Sequence, residues 1–207
     1  MNDRLTIALP VLIAIILGAA LTQTGLDFSL DDAWIHLAYA KSLKLFEGLS
    51  YNPYDFETGS SSPLWVIILS LVPWGSNAMV VSKMIGVFCF ALSIFVLGVI
   101  LKKWFPSLTV YSRLLLLLAG ALAPLQIQGS VSGMSVSLAS FLVLLALYYS
   151  SENDDLKSGV LAFLSVATRS ELVVFWVVWS GVRWLKSRQT KQLTPGIAAV
   201  LSLSLWM

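Results

Sequence analysis

The chain has 207 residues, 57% hydrophobic and 12% charged, with 13 Lys and Arg against 11 Asp and Glu and a formal net charge of +2. A mean hydropathy of +0.84, and a charged fraction far below the roughly 25% of ordinary soluble domains, exclude a soluble globular protein and indicate an integral membrane protein. The near balance of charge gives no sign of a nucleic-acid partner.

Leu5–Leu21 is the first apolar segment, preceded by Arg4. It exceeds a signal-peptide core and meets no small-x-small cleavage site before the polar loop, so it is expected to stay as a membrane helix. Residues 23–77 form a long loop to the next membrane helix, and within it Ser29–Trp65 is the one extended polar passage. Pro63–Gly75 is apolar but short and closed by Pro73 and Gly75, which reads as a helix lying at the membrane surface. Further spans are expected at Ala78–Leu101, Leu114–Gln128, Met134–Tyr149, Gly159–Val182 with an interruption at "TRSE", and Thr194–Met207. Ser150–Lys157, "SSENDDLK", reads as a solvated connection. The stop inside the apolar run "LSLSLWM" reads as the N-terminal part of a longer membrane domain or as a short last helix. Cys89 is the single cysteine, with no partner for a disulfide or a thiolate metal site. Eight Trp and six Tyr suit repeated membrane–water interfaces.

Charge orients these spans. With Pro63–Gly75 at the outer surface, the cytoplasmic ends carry Arg4, Lys102, Lys103, Arg113, Lys157, Arg183, Lys186, Arg188 and Lys191, nine of the 13 basic residues. Making Pro63–Gly75 a full span would move Lys102 and Lys103 outside and weaken the positive-inside bias. The same orientation gathers Asp27, Asp31, Asp32, Glu47, Asp55, Glu57 and Glu171 on the extracytoplasmic side.

Asp31 and Asp32 stand where the first apolar segment gives way to the loop. Ser29 with Asp32 fits a capping box, and a carboxylate in a first helical turn interacts favourably with the helix dipole. That leaves Asp31 without a structural role. A carboxylate in a cleft just above a bilayer is partly desolvated, which suits it to act as a base. Successive helical side chains point about 100° apart, so one of the two faces a reacting atom while the other caps the helix or binds a cation. His36 lies four residues after Asp32, on the same helix face, where the imidazole can pair with the carboxylate or with a ligand phosphate, or sit as an interfacial polar residue.

In order, "DDAWIHLAYAKSL", "GLSYNP" and "GSSSPLW" resemble the first extracytoplasmic loop of GT-C glycosyltransferases. The resemblance is to the bacterial branch that uses polyprenyl-phosphate sugars, with mycobacterial arabinofuranosyltransferases and mannosyltransferase-like proteins among its members. "SGMSVSLASFLVLLALYY" from Ser132 and "GVLAFLSVATRSELVVF" from Gly159 follow in the order that branch leads one to expect. The sequence departs from the usual pattern at Ala38 and Tyr54, where Arg and Gly are common, at Ser135 in place of an acidic residue, and at Ser170 and Leu172 in place of Pro and Gly.

The resemblance implies an all-α, polytopic membrane helix bundle of the GT-C type in a bacterial plasma membrane, with its active face extracytoplasmic and juxtamembrane helices in the first loop. It implies an inverting transferase that moves a sugar from a polyprenyl-phosphate donor to a glycan, lipid or protein hydroxyl. Such a reaction needs a base for the acceptor proton, a cationic setting for the departing phosphate and a groove for the lipid tail. A phosphodiester leaves as a stable anion, so no general acid is obligatory.

The base falls to Asp31 or Asp32, with Asp31 favoured because Asp32 has the capping alternative. Arg169 can engage phosphate oxygens bidentately, beside Glu171, or the two can simply pair across a tight turn. Lys41 and Lys44 can reach the ligand or lipid headgroups. Ser60, Ser61 and Ser62 can contact donor or acceptor, or cap the helix that starts at Pro63. Trp65 and Trp74 are expected at the interface, as belt anchors or stacked on a sugar. No resident cofactor is implied. A divalent cation would suit the acidic loop, although no spacing specifies one. The competing classes are a non-catalytic or truncated relative and a lipid or solute transporter. The near absence of charge inside the spans argues against coupled transport.

Overall fold

The computed structural model describes residues 3–24, 31–51, 59–72 and 77–205. Among them every regular element is helical: α1 (Asp3–Thr24), α2 (Asp32–Lys44), α3 (Pro63–Ser70), α4 (Ala78–Trp104), α5 (Val110–Ala121), α6 (Pro124–Val131), α7 (Val136–Ser151), α8 (Asp155–Thr168), α9 (Leu172–Ser187) and α10 (Thr194–Ser204), with a 3-10 turn at Thr190–Leu193. The chain divides into two compact units, Met1–Ala33 with Gly75–Leu144 and Trp34–Trp74 with Leu145–Met207.

In the first unit α1 packs along α4, and α5 and α6 pack against both. The 22 residues of α1 and 27 of α4 each exceed the ~20 residues needed to cross a ~30 Å hydrocarbon core. By length and composition these two helices can span a membrane, and the bent pair α5 and α6 makes a third if it counts as one span. Ala14, Phe90, Ile94, Leu101, Leu117 and Ala121 form the core between them, flanked by Ile7, Val11, Leu97 and Ile127.

Helices in lipid gain most of their association from close packing, so small residues mark where backbones approach. Gly18 lies against Val87, and Gly98 lies against Ile7. At Gly86 an added Cβ would run into the backbone carbonyl of Ser130. A side chain can rotate away from a methyl group and a backbone carbonyl cannot, so Gly86→Ala must part α4 from α6. It is expected to destabilise the protein by ~1–3 kcal/mol. Gly98→Ala is expected to cost less, because it meets only the Ile7 side chain and Ala gains up to ~1 kcal/mol of helix propensity over Gly, which offsets part of the crowding. Thermal unfolding of the two variants in detergent checks the contrast.

Leu114–Gln128, expected as one span, is instead two helices bent by 49°. Apolar continuity carries no information about backbone hydrogen bonds, and Pro124 decides this case. Its ring removes a donor and pushes Ala123 to an extended conformation (φ −63°, ψ 117°), so one helix ends and another begins with Pro at its start. Thr109 caps α5, its side chain accepting from the Ser112 amide at 3.1 Å.

In the second unit α10 packs on α8 and α9, and α3 packs on α8. The interruption expected within Gly159–Val182 is present: α8 ends at Thr168 and α9 begins at Leu172, with Arg169–Glu171 between them. The four later helices have 16, 14, 16 and 11 residues, each shorter than the ~20 that a single crossing needs. The eight residues of α3 rise only ~12 Å, too little for the span considered at Pro63–Gly75.

Trp176 is fully buried and donates to Ser165 Oγ at 2.7 Å, which joins α9 to α8. The Gly196 amide donates to Ser180 Oγ at 2.8 Å, which joins α10 to α9. Ser150–Lys157 is only partly the solvated connection expected. Asp154 is at the surface, accepts from the Lys157 amide and pairs with its ammonium at 2.7 Å. That pairing holds the Asp154 carboxyl below its usual value. Asp155 instead turns inward, to a 2.8 Å ion pair with Arg183.

Candidate functional site

Asp31 occupies the turn before α2, and Asp32 is the first residue of that helix. Both are exposed, so the desolvation expected of the pair is not provided by the described residues. Asp32 has the first-turn position that the helix dipole favours. Ser29, the other half of the expected capping box, lies outside the described residues, as do Asp27, Asp55, Glu57 and Trp74.

His36 does not share a surface with the acidic pair as its spacing suggested. It is 4% exposed, and its Nδ1 lies 3.5 Å from Ser60 Oγ, a long contact. The Ser60 hydroxyl in turn accepts from the Ser62 amide at 3.4 Å. The imidazole stands between helix and loop. It faces the serine run because α2 buries the side that carries His36, Leu37, Tyr39 and Ala40.

The serine run also departs from expectation. α3 does start at Pro63, yet the Ser62 side chain makes no capping bond to it and is buried. Ser61 is exposed and Ser60 is buried, so of the three hydroxyls Ser61 alone has a side chain at the surface. Trp65 is 0% exposed and cannot stack on a sugar, because α3 turns that face into the second unit.

Lys41 is exposed on α2. Lys44 donates to the Val72 carbonyl at 2.6 Å, tying the end of α2 to the end of α3, which is a structural use of a residue assigned to ligand or lipid. Between these ties, Ser42 Oγ and Ser50 Oγ lie 3.0 Å apart, and the Tyr39 hydroxyl sits where a side chain at Gly59 would have to go. The chain leaves α2 through Phe46 and Gly48, at φ 61° and 92°, and Phe46 is 95% exposed at that turn. Tyr39, Ser42, Ser50 and Gly59 were not singled out in the sequence, since their pairings span 8 to 20 positions and leave no local pattern.

Arg169 and Glu171 pair at the turn between α8 and α9, Nε to Oε1 at 2.6 Å. Burial pushes the Glu171 carboxyl up, but its own backbone amide and the Arg169 guanidinium outweigh that and hold it below its usual value. The guanidinium is half exposed and engages the carboxylate through Nε, so a phosphate would have to share it or displace Glu171.

The structure thus gathers His36, Ser60 and Ser62 in one place and joins Arg169 to Glu171 in another. Asp31 and Asp32 fall in the first unit and the remaining candidates in the second; along the chain the two parts meet within α2. Among the described residues no three His, Cys, Asp or Glu side chains are placed to hold a metal ion. Comparison of the chain with protein-family models, with curated proteins and with solved structures finds no match.

Proposed function

We propose that this chain belongs to a GT-C-like membrane glycosyltransferase that moves a sugar from a polyprenyl-phosphate donor to an extracytoplasmic hydroxyl. The reading rests on the ordered first-loop motifs, and the observation that carries it is the position of the acidic pair. Two exposed carboxylates stand at the start of α2, seven residues beyond the end of α1, the first helix able to cross a membrane. A base there meets an aqueous acceptor on one side and a lipid-borne donor on the other.

The chemistry asks little else of the chain. The acceptor oxygen attacks the anomeric carbon, the bond from that carbon to the phosphate oxygen breaks with inversion, and the hydroxyl proton passes to the carboxylate. The polyprenyl phosphate departs as an anion.

The functional test is transfer of labelled sugar from polyprenyl-phosphate donors in membranes that contain the chain. A labelled product of inverted linkage is expected. Its absence across several donors, with insertion confirmed, would overturn the reading in favour of a non-catalytic relative.

The orientation has its own test. Cys89 is the single cysteine, so a Cys89→Ser background has no thiol to label. In that background Phe46→Cys is expected to react with a membrane-impermeant maleimide in intact cells. Ser107→Cys, in the exposed turn after Lys102 and Lys103, is expected to react only after permeabilisation. The opposite pattern would place the acidic pair in the cytoplasm and remove the proposed active face.

A further inference from the structure

We infer that the second unit binds one anionic phospholipid, its phosphate held by Arg188 and Lys191 and an acyl chain lying in the groove between α9 and α10. The inference does not depend on the sugar-transfer reading.

α9 and α10 form a hairpin through the 3-10 turn at Thr190–Leu193, which packs on both. Between the two helices runs a cavity of about 440 Å³, lined by Val177, Gly181, Leu193, Ile197, Val200 and Leu201. Ser180 also lines it, but its hydroxyl is buried and taken up by the Gly196 amide, so the walls are apolar. A Cβ added at Gly181 would meet nothing within 4 Å, which leaves the groove open at its centre.

Two cations stand at the hairpin end of this groove. Val177, Gly181, Trp184 and Arg188 follow one another at helical spacing and form one strip of α9. The groove wall therefore leads through Trp184 to Arg188, which ends the helix. Lys191 lies in the turn, two residues before Leu193. Both cations are exposed, and neither pairs with a carboxylate among the described residues. The nearby Asp154 and Asp155 are answered by Lys157 and Arg183. Arg188 lies over the Trp184 ring, 5.2 Å from its centroid, but a ring has no net charge and supplies no counter-ion. The negative dipole end of α9 and the positive end of α10 meet at the hairpin and offset each other.

One ligand chemistry fits both halves. A free phosphate would leave the apolar groove empty, and a neutral lipid would bring no net charge to the two cations. A phospholipid with net negative charge satisfies both, and basic pockets between membrane helices hold such headgroups. Trp184, between cations and groove, has the amphipathic ring that favours the headgroup level of a bilayer. From Val177 to its end at Ser187, α9 rises ~15 Å, half of a ~30 Å hydrocarbon core, so the strip spans the depth of one leaflet.

The test uses the full chain in detergent, given equal amounts of phosphatidylglycerol and phosphatidylcholine, with retained lipid counted by native mass spectrometry. Wild type is expected to retain phosphatidylglycerol selectively. Arg188→Gln with Lys191→Gln is expected to weaken that retention about tenfold, whereas Lys102→Gln with Lys103→Gln, the same change of charge at exposed positions on α4, is expected to leave it unchanged. Gly181→Leu fills the groove without altering charge, and is expected to lower retention as well. Leu is the better helix former and meets no neighbour at its Cβ there, so this variant is expected to fold.

Equal retention of the two lipids overturns the proposal, as does an equal fall in both charge variants. Displacement by inorganic phosphate with no effect of Gly181→Leu would identify a phosphate site instead and also overturns it. A chain that retains no lipid but dimerises, and loses the dimer with Gly181→Leu, would assign the groove to a second copy and likewise overturns it. Should the Arg188 and Lys191 variant fail to fold, Gly181→Leu decides alone, and wild-type retention in it counts against the lipid.

Discussion

Asp31→Asn is expected to lower sugar transfer by ~10²–10⁴-fold at unchanged protein abundance, the range that loss of a positioned general base produces. The substitution keeps the size and polarity of the side chain and removes only its ability to take the acceptor proton. Asp31 is exposed in the turn before α2, so little stability should change with it. Removal of an interaction needed only in the transition state lowers kcat and leaves donor KM nearly constant. Asp32→Asn should behave differently. Its first-turn position earns ~0.3–1 kcal/mol from the helix dipole, a structural role that Asp31, in the turn before the helix, does not share. A small loss of stability with most activity retained is therefore expected. If the two outcomes are exchanged, Asp32 is the base; if neither variant loses activity, the acidic pair has no chemical role.

The largest stability effect is expected at Asp155. Its Oδ1 accepts from Arg183 Nη1 at 2.8 Å, with the two side chains only 7% and 14% exposed, and the pair links the start of α8 to the last turns of α9. Oδ2 is buried without a hydrogen-bond partner among the described residues, so the pair is held at a desolvation cost that the mutual charge and the dipole at the start of α8 offset. Asp155→Ala leaves a buried guanidinium uncompensated and should cost ~3–5 kcal/mol. Asp155→Asn keeps an acceptor for Arg183 and should cost less. Replacing both residues together, Asp155→Leu with Arg183→Met, should recover most of the loss, because a buried ion pair often contributes little net stability over apolar packing. Thermal unfolding followed by Trp fluorescence measures all three variants. A double variant as unstable as Asp155→Ala would show that packing around the pair, and not its charge, is what matters.

Long apolar runs made α1 and α4 legible, since only a helix can carry more than 20 apolar residues through lipid with its backbone satisfied. The charges in "TRSE" likewise marked the break that separates α8 from α9. The Leu114–Gln128 run gave no sign of its 49° bend, because Pro124 acts through a hydrogen bond and a torsion angle, neither of which changes hydropathy.

The candidate site was legible where it depends on chain position and opaque where it depends on packing. Asp31 and Asp32 stand at a helix start, as their neighbours implied. His36 and Trp65 carry polar or amphipathic side chains that suit an interface equally well, and only the packing of α2 and α3 within the second unit turns them inward. Lys44 was read as a ligand or lipid contact, yet its partner is a carbonyl 28 residues away. No local pattern encodes such a tie.

The most direct test of sugar transfer compares wild type with an Asp31→Asn, Asp32→Asn double variant at matched abundance, each in membranes supplied with radiolabelled polyprenyl-phosphate sugar. The account predicts labelled product from wild type and none above background from the double variant. Transfer that survives the loss of both carboxylates, or an inserted wild-type chain that transfers nothing, would contradict it.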